Sequence, residues 1–235
     1  MAQATARHIL VDDEALCEEL KTKIAGGEDF ADLARETGAW VLIGSILVDV
    51  PGSEKMANRS LLLDADGAVR ARYDKVHMFD VNLGGAETHR ESNHYNAGGE
   101  SVLAETPWAP LGMTICYDLR FAYLYRALAQ AGAAMISVPS AFTRVSGEAH
   151  WHVLLRARAI ETGCYIIAPA QCGDHPGERK TFGHSLIIDP WGQVLADGGE
   201  ETGFIIADID LARVDEARSK IPALTHDRDV SVSKS

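Results

Sequence analysis

The sequence "GMTICYDLRFAYLYRALAQAGA", Gly112–Ala133, predicts an apolar strand that runs directly into a helix. The strand letters "GMTIC" end at Cys116, and the helical pattern that follows stops at Gly132, a residue typical of helix ends. A thiol is therefore placed at the point where a strand ends and a helix begins.

The segments on both sides repeat this alternation of strands and helices. Downstream, strands are predicted for "AMISVPS", "CYIIAPAQ", "HSLIIDPWGQVLAD" and "GFIIADIDL", and helices for "EAHWHVLLRARAIETG" and "ARVDEARSKI". Upstream, "DFADLARETG" predicts a helix, "AWVLIGSILVDV" a strand without a solvent-exposed face, and "RSLLLDADGAVRARYDK" a hairpin around Asp66-Gly67. Interleaved strands and helices of this kind indicate an α/β fold, a layered sandwich.

The charge balance restricts the classes of partner. The chain has 235 residues, with 34 acidic and 22 basic side chains and a formal net charge of −12. Because no basic run could follow a phosphate backbone, nucleic acid and anionic membranes are poor candidates. The opening "MAQATARHILVDDEALCEEL" has no apolar core of signal-peptide length, so we expect a cytoplasmic protein.

No metal or organic cofactor is predicted. The cysteines are not arranged in a CxxC pair. They are Cys17, Cys116, Cys164 and Cys172. His150 and His152 lie two residues apart on a helical pattern and should face different sides. The sequence therefore shows no cluster with metal-ligand spacing.

Cys116 is the candidate nucleophile. Free N–H groups at a helix start lower the pKa of a thiol, and the N–H of Tyr117 could bind a developing oxyanion. The alternative is that Cys116 is a small buried hydrophobic residue, as most cysteines in apolar strands are.

Lys75 and Glu91 supply the polar neighbours that favour the catalytic interpretation. Lys75 lies just past a strand in "RARYDKVHMFD", and Glu91 lies in the polar segment "HRESNHYNAGGE". A lysine near a thiol stabilises the thiolate, and a carboxylate can orient that lysine. Each residue alone would be read as an ordinary surface charge.

Four blocks carry a resemblance to a known family. They are "YDKVHMFD", "GMTICYDLRFAYLYRALAQAGA", "PSAFTRVSGEAHWHVLLRARAIETGCYIIAPAQCG" and "GHSLIIDPWGQVLAD". In this order they resemble the nitrilase superfamily of carbon–nitrogen hydrolases, and within it the omega-amidase and deaminated-glutathione-amidase branch. The resemblance covers about Gly38 to Arg228. It implies an αββα sandwich that pairs as a homodimer or higher oligomer through the helices flanking the nucleophile.

The resemblance also implies residue roles in the hydrolysis of small linear amides. Cys116 would be the nucleophile, Lys75 the lysine and Glu91 the second glutamate, with Tyr117 beside the substrate. Arg120 would face a substrate carboxylate, although a salt bridge to Asp118 or Glu161 is an equal alternative. Phe142 and Ser146 would line the pocket, the latter where the family more often has threonine.

The N-terminal segment departs from the family, which places its general-base glutamate in an early "PE" step that is absent here. Residues 1–37 instead resemble the start of a parvulin-type peptidyl-prolyl isomerase, which would leave 38–235 as a hydrolase domain without its usual beginning. One of Asp12, Asp13 or Glu14 could replace the missing base, because "RHILVDDE" is a strand ending in acids. The competing interpretation is that Asp12 or Asp13 caps the following helix.

Three functions follow from these observations. The preferred one is hydrolysis of a small, carboxylate-bearing amide through a Cys116 thioester, impaired by the absent base. The second is an inactive hydrolase fold that serves as a binding or structural chimera. The third, least favoured, is isomerisation of proline bonds by His8 with the segment Phe182–Ile188.

Overall fold

The computed structural model describes residues 7–10, 22–23, 26–83, 88–176 and 179–234. Within these ranges the chain folds into two main β-sheets with four α-helices of eight or more residues. No helix in the described ranges combines the length and the apolar character that crossing a membrane requires.

The first sheet has five strands, in the order β1-β2-β3-β4 with β7 paired to β3. Its strands are β1 (Arg7–Leu10), β2 (Trp40–Val48), β3 (Met56–Leu63), β4 (Val69–Asp74) and β7 (Tyr95–Asn96). Neighbours from β1 to β4 are antiparallel, and β7 is parallel to β3. Helix α1 (Phe30–Thr37) precedes β2.

The second sheet has six strands, in the order β15-β14-β11-β10-β9-β8. Its strands are β8 (Val102–Ala104), β9 (Leu111–Met113), β10 (Met135–Ser137), β11 (Tyr165–Ala168), β14 (Leu186–Ile188) and β15 (Val194–Asp197). Its central strands β9, β10 and β11 are parallel because helices α2 (Ala122–Gln130) and α3 (Arg144–Thr162) connect them.

The remaining elements are short or peripheral. Two small hairpins pair β5 (Asp80–Asn82) with β6 (Thr88–Arg90) and β12 (Cys172–Asp174) with β13 (Lys180–Phe182). Helix α4 (Ala212–Lys220) follows the second sheet. Three 3₁₀ turns span Glu91–Asn93, Cys116–Arg120 and Ala223–Thr225.

The hydrophobic core lies in three layers that define an αββα sandwich. Between the two sheets, Leu42, Leu62 and Tyr73 pack against Met113 and Tyr165. A second core, with the fully buried Trp151 and Leu155 of α3, separates the second sheet from α2 and α3. On the other side, Ala34 of α1 packs on Val41 and Leu63. The sandwich predicted from the sequence is confirmed.

Local sequence signals explain the turn from α1 into β2. The Asp29 side chain caps α1 by accepting from the N–H groups of Ala31 and Asp32. Gly38 ends the helix with φ 67°, a left-handed conformation that suits glycine. No residue of β2 is exposed, as its lack of alternation predicted. The helix and strand pack as one unit across the expected domain boundary at Gly38.

One predicted strand is wrong. Residues 203–210, from "GFIIADIDL", form no strand in the structure. A strand requires a hydrogen-bonding neighbour, and none of the sheets in the described part of the chain includes these residues. The apolar pattern of this segment was therefore insufficient to predict its conformation.

Candidate active site

Cys116 opens the 3₁₀ turn Cys116–Arg120, three residues after β9 ends. Its φ is 50°, an unusual left-handed conformation for a residue with a side chain, and its N–H donates to the Pro139 carbonyl at 2.9 Å. Such backbone strain costs on the order of 1–3 kcal/mol and concentrates at functional sites. The sequence predicted a helix directly after Cys116; the structure shows a 3₁₀ turn first, with α2 beginning at Ala122.

The thiol lies where the two sheets and the helical layer meet. Cys116 is half-buried and packs against both the core between the sheets and the core beneath α2 and α3. The next N–H, of Tyr117, donates to no acceptor in the described part of the chain. The Tyr117 ring is fixed edge-on against Phe79 and Phe121, with centroid distances of 5.0 and 5.4 Å. The turn therefore presents a thiol and a free backbone donor together.

Lys75 and Glu91 form a buried ion pair. The Lys75 side chain is 3% exposed, and its Nζ donates to Glu91 Oε2. The same oxygen accepts from the Phe79 N–H at 2.5 Å. The Lys75 backbone is held on both sides, since its N–H donates to Asn58 and its carbonyl accepts from Gly98. The structure thus brings together the lysine and glutamate that the sequence singled out, and fixes both.

Asp118 connects the segment that carries Lys75 to the turn that carries Cys116. Its carboxylate, 0% exposed, accepts from the Tyr73 hydroxyl at 2.7 Å and the Ile115 N–H at 2.8 Å. It also accepts from the His77 N–H at 3.1 Å and lies 2.7 Å from His77 Nδ1. Burial and the charge of Asp118 raise the pKa of Tyr73 far above its ordinary value of 10.0. The phenol therefore stays protonated and keeps donating.

Sequence reasoning missed this network, although a signal was present. Tyr73 and His77 lie two residues on either side of Lys75, so in an extended chain the three side chains tend toward one face. The His77 ring also stacks on Phe121, with centroids 3.5 Å apart, and its Nε2 lies 2.5 Å from the Tyr123 hydroxyl. The contacts of His77 and Tyr73 set the position of Lys75 relative to the turn.

Arg120 lies beside Phe142, one of the two residues expected to line a pocket. Its guanidinium lies 5.4 Å from the centre of the Phe142 ring, and one of its nitrogens lies 3.2 Å from His150 Nδ1. The alternative salt bridges are wrong, because the described Asp118 and Glu161 carboxylates form no ion pair with Arg120. Asp118 bonds to the network above, and Glu161 pairs with Arg158 at 2.7 Å.

Ser146 lies in the first turn of α3 and Phe142 lies two residues before the helix, and both are buried. The Phe142 ring packs on Trp151 with centroids 4.8 Å apart. The Ser146 hydroxyl bonds to the Thr143 hydroxyl at 2.8 Å. This hydroxyl pair is therefore held within the α3 start, close in sequence to Phe142.

Two further expectations concern the N-terminal segment. The proposed replacement bases Asp12, Asp13 and Glu14 lie outside the described residues. Of His8, only the backbone in β1 is described, in the first sheet. The segment Phe182–Ile188 belongs in part to β14 of the second sheet, and its His184 bonds to Asp197.

The register of β1 shows where its described end lies relative to Lys75. Leu10, the last residue of β1, is opposite Trp40 at the start of β2. Lys75 follows β4, whose last residue is opposite Arg59, and Arg59 is opposite Ile46. Trp40 and Ile46 lie about 20 Å apart along an extended strand. The end of β1 and Lys75 therefore lie toward opposite ends of β2.

Comparison with known sequences gives a consistent match. The sequence model of the carbon-nitrogen hydrolase family matches residues 23–219. The chain is 42% identical over 206 residues to the deaminated glutathione amidase of Yersinia enterocolitica, covering 87% of this chain and 72% of that protein. It is 44% identical to the human deaminated glutathione amidase, covering 86% of this chain but only 63% of that protein.

Comparison with solved structures agrees. The NitFhit protein of Caenorhabditis elegans superposes with a TM-score of 0.80 at 39% identity, covering 90% of this chain and 53% of that one. The amidase from Nesterenkonia sp. AN1, in a variant with the acetamide moiety of fluoroacetamide on its active-site cysteine, gives a TM-score of 0.67 at 26% identity. That match covers 88% of this chain and 76% of the amidase.

Proposed function

The chain belongs to the carbon–nitrogen hydrolase family, and we propose that it hydrolyses the C–N bond of a small linear amide with Cys116 as the nucleophile. The observation that supports this proposal is that Asp118 links the strained turn, with its Cys116 thiol and free Tyr117 N–H, to the segment that holds the buried Lys75–Glu91 pair. The curated relatives' names, and the cysteine adduct in the related amidase, support it.

The proposed reaction has two half-reactions. The Cys116 sulfur attacks the amide carbon, and the oxyanion that forms is stabilised by the Tyr117 N–H and the Lys75 ammonium group. Collapse of this intermediate breaks the C–N bond, transfers a proton to the leaving nitrogen and releases ammonia. Water then attacks the thioester, which releases the acid and restores the thiol.

The proton transfers are the weak step of this scheme. An amide leaving group must be protonated, and the thiol must lose its proton, so a positioned acid–base group accelerates both steps. The "PE" step that carries the family's early glutamate is absent from the sequence upstream of Ile43, and Asp12, Asp13 and Glu14 are the candidates to replace it. Among the described carboxylates, Glu91 contacts Lys75, and that contact already commits it to the ion pair. We therefore propose that the chain hydrolyses its amide slowly. The nucleophile and the oxyanion donors are in place, but the proton transfers lack a positioned acid–base group in the described part of the chain.

Arg120 indicates a carboxylate-bearing substrate. Arg120 is half-buried with its guanidinium over the Phe142 ring, and it forms no ion pair with Asp118 or Glu161. An arginine in this state is suited to bidentate recognition of a carboxylate. Because the relatives are named as deaminated glutathione amidases, an amide of that class is the first substrate to test.

The experiment combines intact-mass spectrometry with ammonia release. With deaminated glutathione, the full chain is expected to form an acyl adduct on Cys116 and to release ammonia slowly. Cys116→Ala should lose the adduct and lower the rate by roughly four orders of magnitude. Cys172→Ala is the matched control and should behave like the unmodified chain, since Cys172 bonds only weakly to Thr202 at 3.9 Å.

The outcomes separate the candidate functions. An adduct without ammonia release would show an enzyme that has lost turnover. Neither adduct nor ammonia would favour the binding or structural chimera. Ammonia release that persists in Cys116→Ala would remove Cys116 from the mechanism.

The replacement base is tested with Asp12→Asn, Asp13→Asn and Glu14→Gln. The register of β1 places its described end away from Lys75, so we expect each variant to retain the unmodified rate within about twofold. A loss of a hundredfold or more in one variant, at unchanged stability, would identify that residue as the base.

The N-terminal boundary and the oligomer stay predictions. The family match begins at residue 23, within the segment 1–37 that resembles a parvulin.

For the oligomer, we propose a dimer formed through α2 and α3, because Tyr123, Val153 and Ile160 on these helices are 63%, 67% and 55% exposed. Light scattering of Tyr123→Glu and Val153→Glu, compared with the unmodified chain, measures the loss of pairing.

A further inference from the structure

Three side chains from separate parts of the chain converge on one surface point. His152 lies on α3, His184 lies just before β14, and Asp197 ends β15. One ligand atom from each, two ring nitrogens and a carboxylate oxygen, lie within 4.8 Å of one another. Neither Cys116 nor Lys75 bonds to any of them, so the cluster is separate from the candidate active site.

The spacing of these atoms is close to that of a metal-ligand set. His152 Nε2 lies 3.0 Å from Asp197 Oδ2, and His184 Nδ1 lies 2.9 and 3.2 Å from the two oxygens of Asp197. A tetrahedral zinc ion with bonds of about 2.0–2.2 Å separates its ligand atoms by about 3.3 Å. The ion therefore requires only small side-chain rotations.

The charge of the cluster suits a cation. The Asp197 carboxylate accepts from the Gly199 N–H at 2.9 Å and lies within hydrogen-bond distance of His152 and His184, so its oxygens lie between the two imidazoles. Imidazole nitrogens and carboxylate oxygens are common ligands of divalent cations. The carboxylate of the neighbouring Glu200 accepts from Arg144 at 2.6 Å. The candidate ligands are therefore His152, His184 and Asp197.

The backbone holds the cluster rigidly while leaving it accessible. His184 has a φ of 56°, and its N–H donates to the Gly199 carbonyl at 2.6 Å while its carbonyl accepts from Trp151 Nε1 at 2.7 Å. Its ring stacks on Phe182 with centroids 4.5 Å apart. The side chains of His152, His184 and Asp197 are 34%, 23% and 35% exposed, so an ion can reach them from solvent.

We propose that His152, His184 and Asp197 bind one divalent transition-metal ion of the zinc class. Two imidazoles and one carboxylate suit zinc, with a water molecule as the fourth ligand. The ion would fasten α3 to the β14–β15 hairpin. Because Trp151, which bonds to His184, also packs on Phe142, the ion would stiffen the wall of the proposed substrate pocket.

The test measures zinc binding to the full chain with Cys116→Ser, so that the candidate nucleophile cannot bind the ion. The protein is treated with a chelator, equilibrated with zinc chloride by dialysis, and analysed for metal by atomic emission. We expect saturable binding of one zinc ion per chain. Adding His152→Ala or Asp197→Asn should weaken binding by about a hundredfold or more, and adding His226→Ala, an exposed histidine elsewhere, should leave it unchanged.

A second measurement guards against misfolded variants. Zinc should raise the melting temperature of the parent and of His226→Ala, and should not raise that of His152→Ala, whose half-buried side chain can be removed without opening the core. The hydrogen-bonded trio would be only a structural contact if the parent bound no zinc. Equal zinc binding by the parent and His152→Ala would place the ion elsewhere and overturn the proposal.

Discussion

Asp118 and Asp197 make similar hydrogen bonds in different surroundings. Each carboxylate accepts from at least one backbone N–H and lies within hydrogen-bond distance of two side chains, at least one of which is a histidine. Asp118 is 0% exposed beneath the candidate active site, whereas the Asp197 side chain is 35% exposed at the surface. The partners of Asp118 include the buried Tyr73, and those of Asp197 are two accessible histidines.

The difference shows how burial assigns different tasks to one arrangement of groups. In the interior, a hydrogen bond lost by Asp118 cannot be replaced by water, so the network fixes the geometry of the turn and of Lys75. At the surface, water or an ion can take the place of any partner of Asp197. The buried aspartate is therefore suited to positioning, and the exposed one to exchange with solutes.

Replacing the buried carboxylate should produce the largest effect. Asp118→Ala leaves the Tyr73 hydroxyl and the Ile115 N–H buried without an acceptor, so we expect the free energy of unfolding to fall by about 3–5 kcal/mol. Ammonia release should fall as well, since Lys75 loses its link to the Cys116 turn. Urea unfolding and the amidase assay measure the two effects.

Asp118→Asn is the matched control, because it keeps the shape and one acceptor oxygen. It should cost less stability than Asp118→Ala and leave more activity. An Asp118→Ala protein within about 1 kcal/mol of the unmodified chain would contradict the role given to burial.

Removing one buried partner should produce an intermediate effect. Tyr73→Phe deletes a single hydrogen bond to Asp118, and we expect it to lower the free energy of unfolding by about 1–2 kcal/mol. Urea unfolding at neutral pH measures this loss. An unchanged free energy of unfolding would show that the remaining donors satisfy Asp118 without the phenol.

The same variant sharpens the comparison through pH. Because burial and Asp118 raise the pKa of Tyr73 above its ordinary value of 10.0, the unfolded chain releases this proton first as pH rises. The stabilising contribution is complete below pH 10.0 and is lost as pH rises through the folded value. Above pH 10.0, the free energy of unfolding of Tyr73→Phe should therefore fall less steeply with pH than that of the unmodified chain. Some loss of stability with pH should remain in Tyr73→Phe, because burial also raises the pKa of Tyr125.

Much of the fold was predictable because its signals are local. The strand before Cys116, the helix ended by Gly38 and the hairpin around Gly67 each depend on residues within one or two turns of chain. The segment 203–210 failed because a strand also depends on a partner, which no local pattern specifies.

The candidate site was predictable only in part, for the same physical reason. Lys75 and Glu91 were found because their charge in these positions is chemically informative, and the structure pairs them. The partners of Asp118 are separated from it by 41 and 45 positions in the sequence, and those of Asp197 by 13 and 45 positions. The spacing rule that predicted no metal site treats only neighbours in sequence, so it could not detect that the fold brings His152, His184 and Asp197 together.

The smallest expected effect tests the exposed half of the comparison directly. In the presence of a chelator, Asp197→Asn should change the free energy of unfolding at neutral pH by no more than about 1 kcal/mol, because solvent screens its bonds to His152 and His184. Asp118→Asn is the same chemical change at a buried position, so the two variants are compared by urea unfolding. If the two variants lost equal stability, burial would not distinguish the two aspartates, and the positioning role of Asp118 would need another cause. If only Asp118→Asn were destabilised, burial would account for the different cost of the same substitution, and the solvent access that lowers this cost at Asp197 is also what lets an ion enter its cluster.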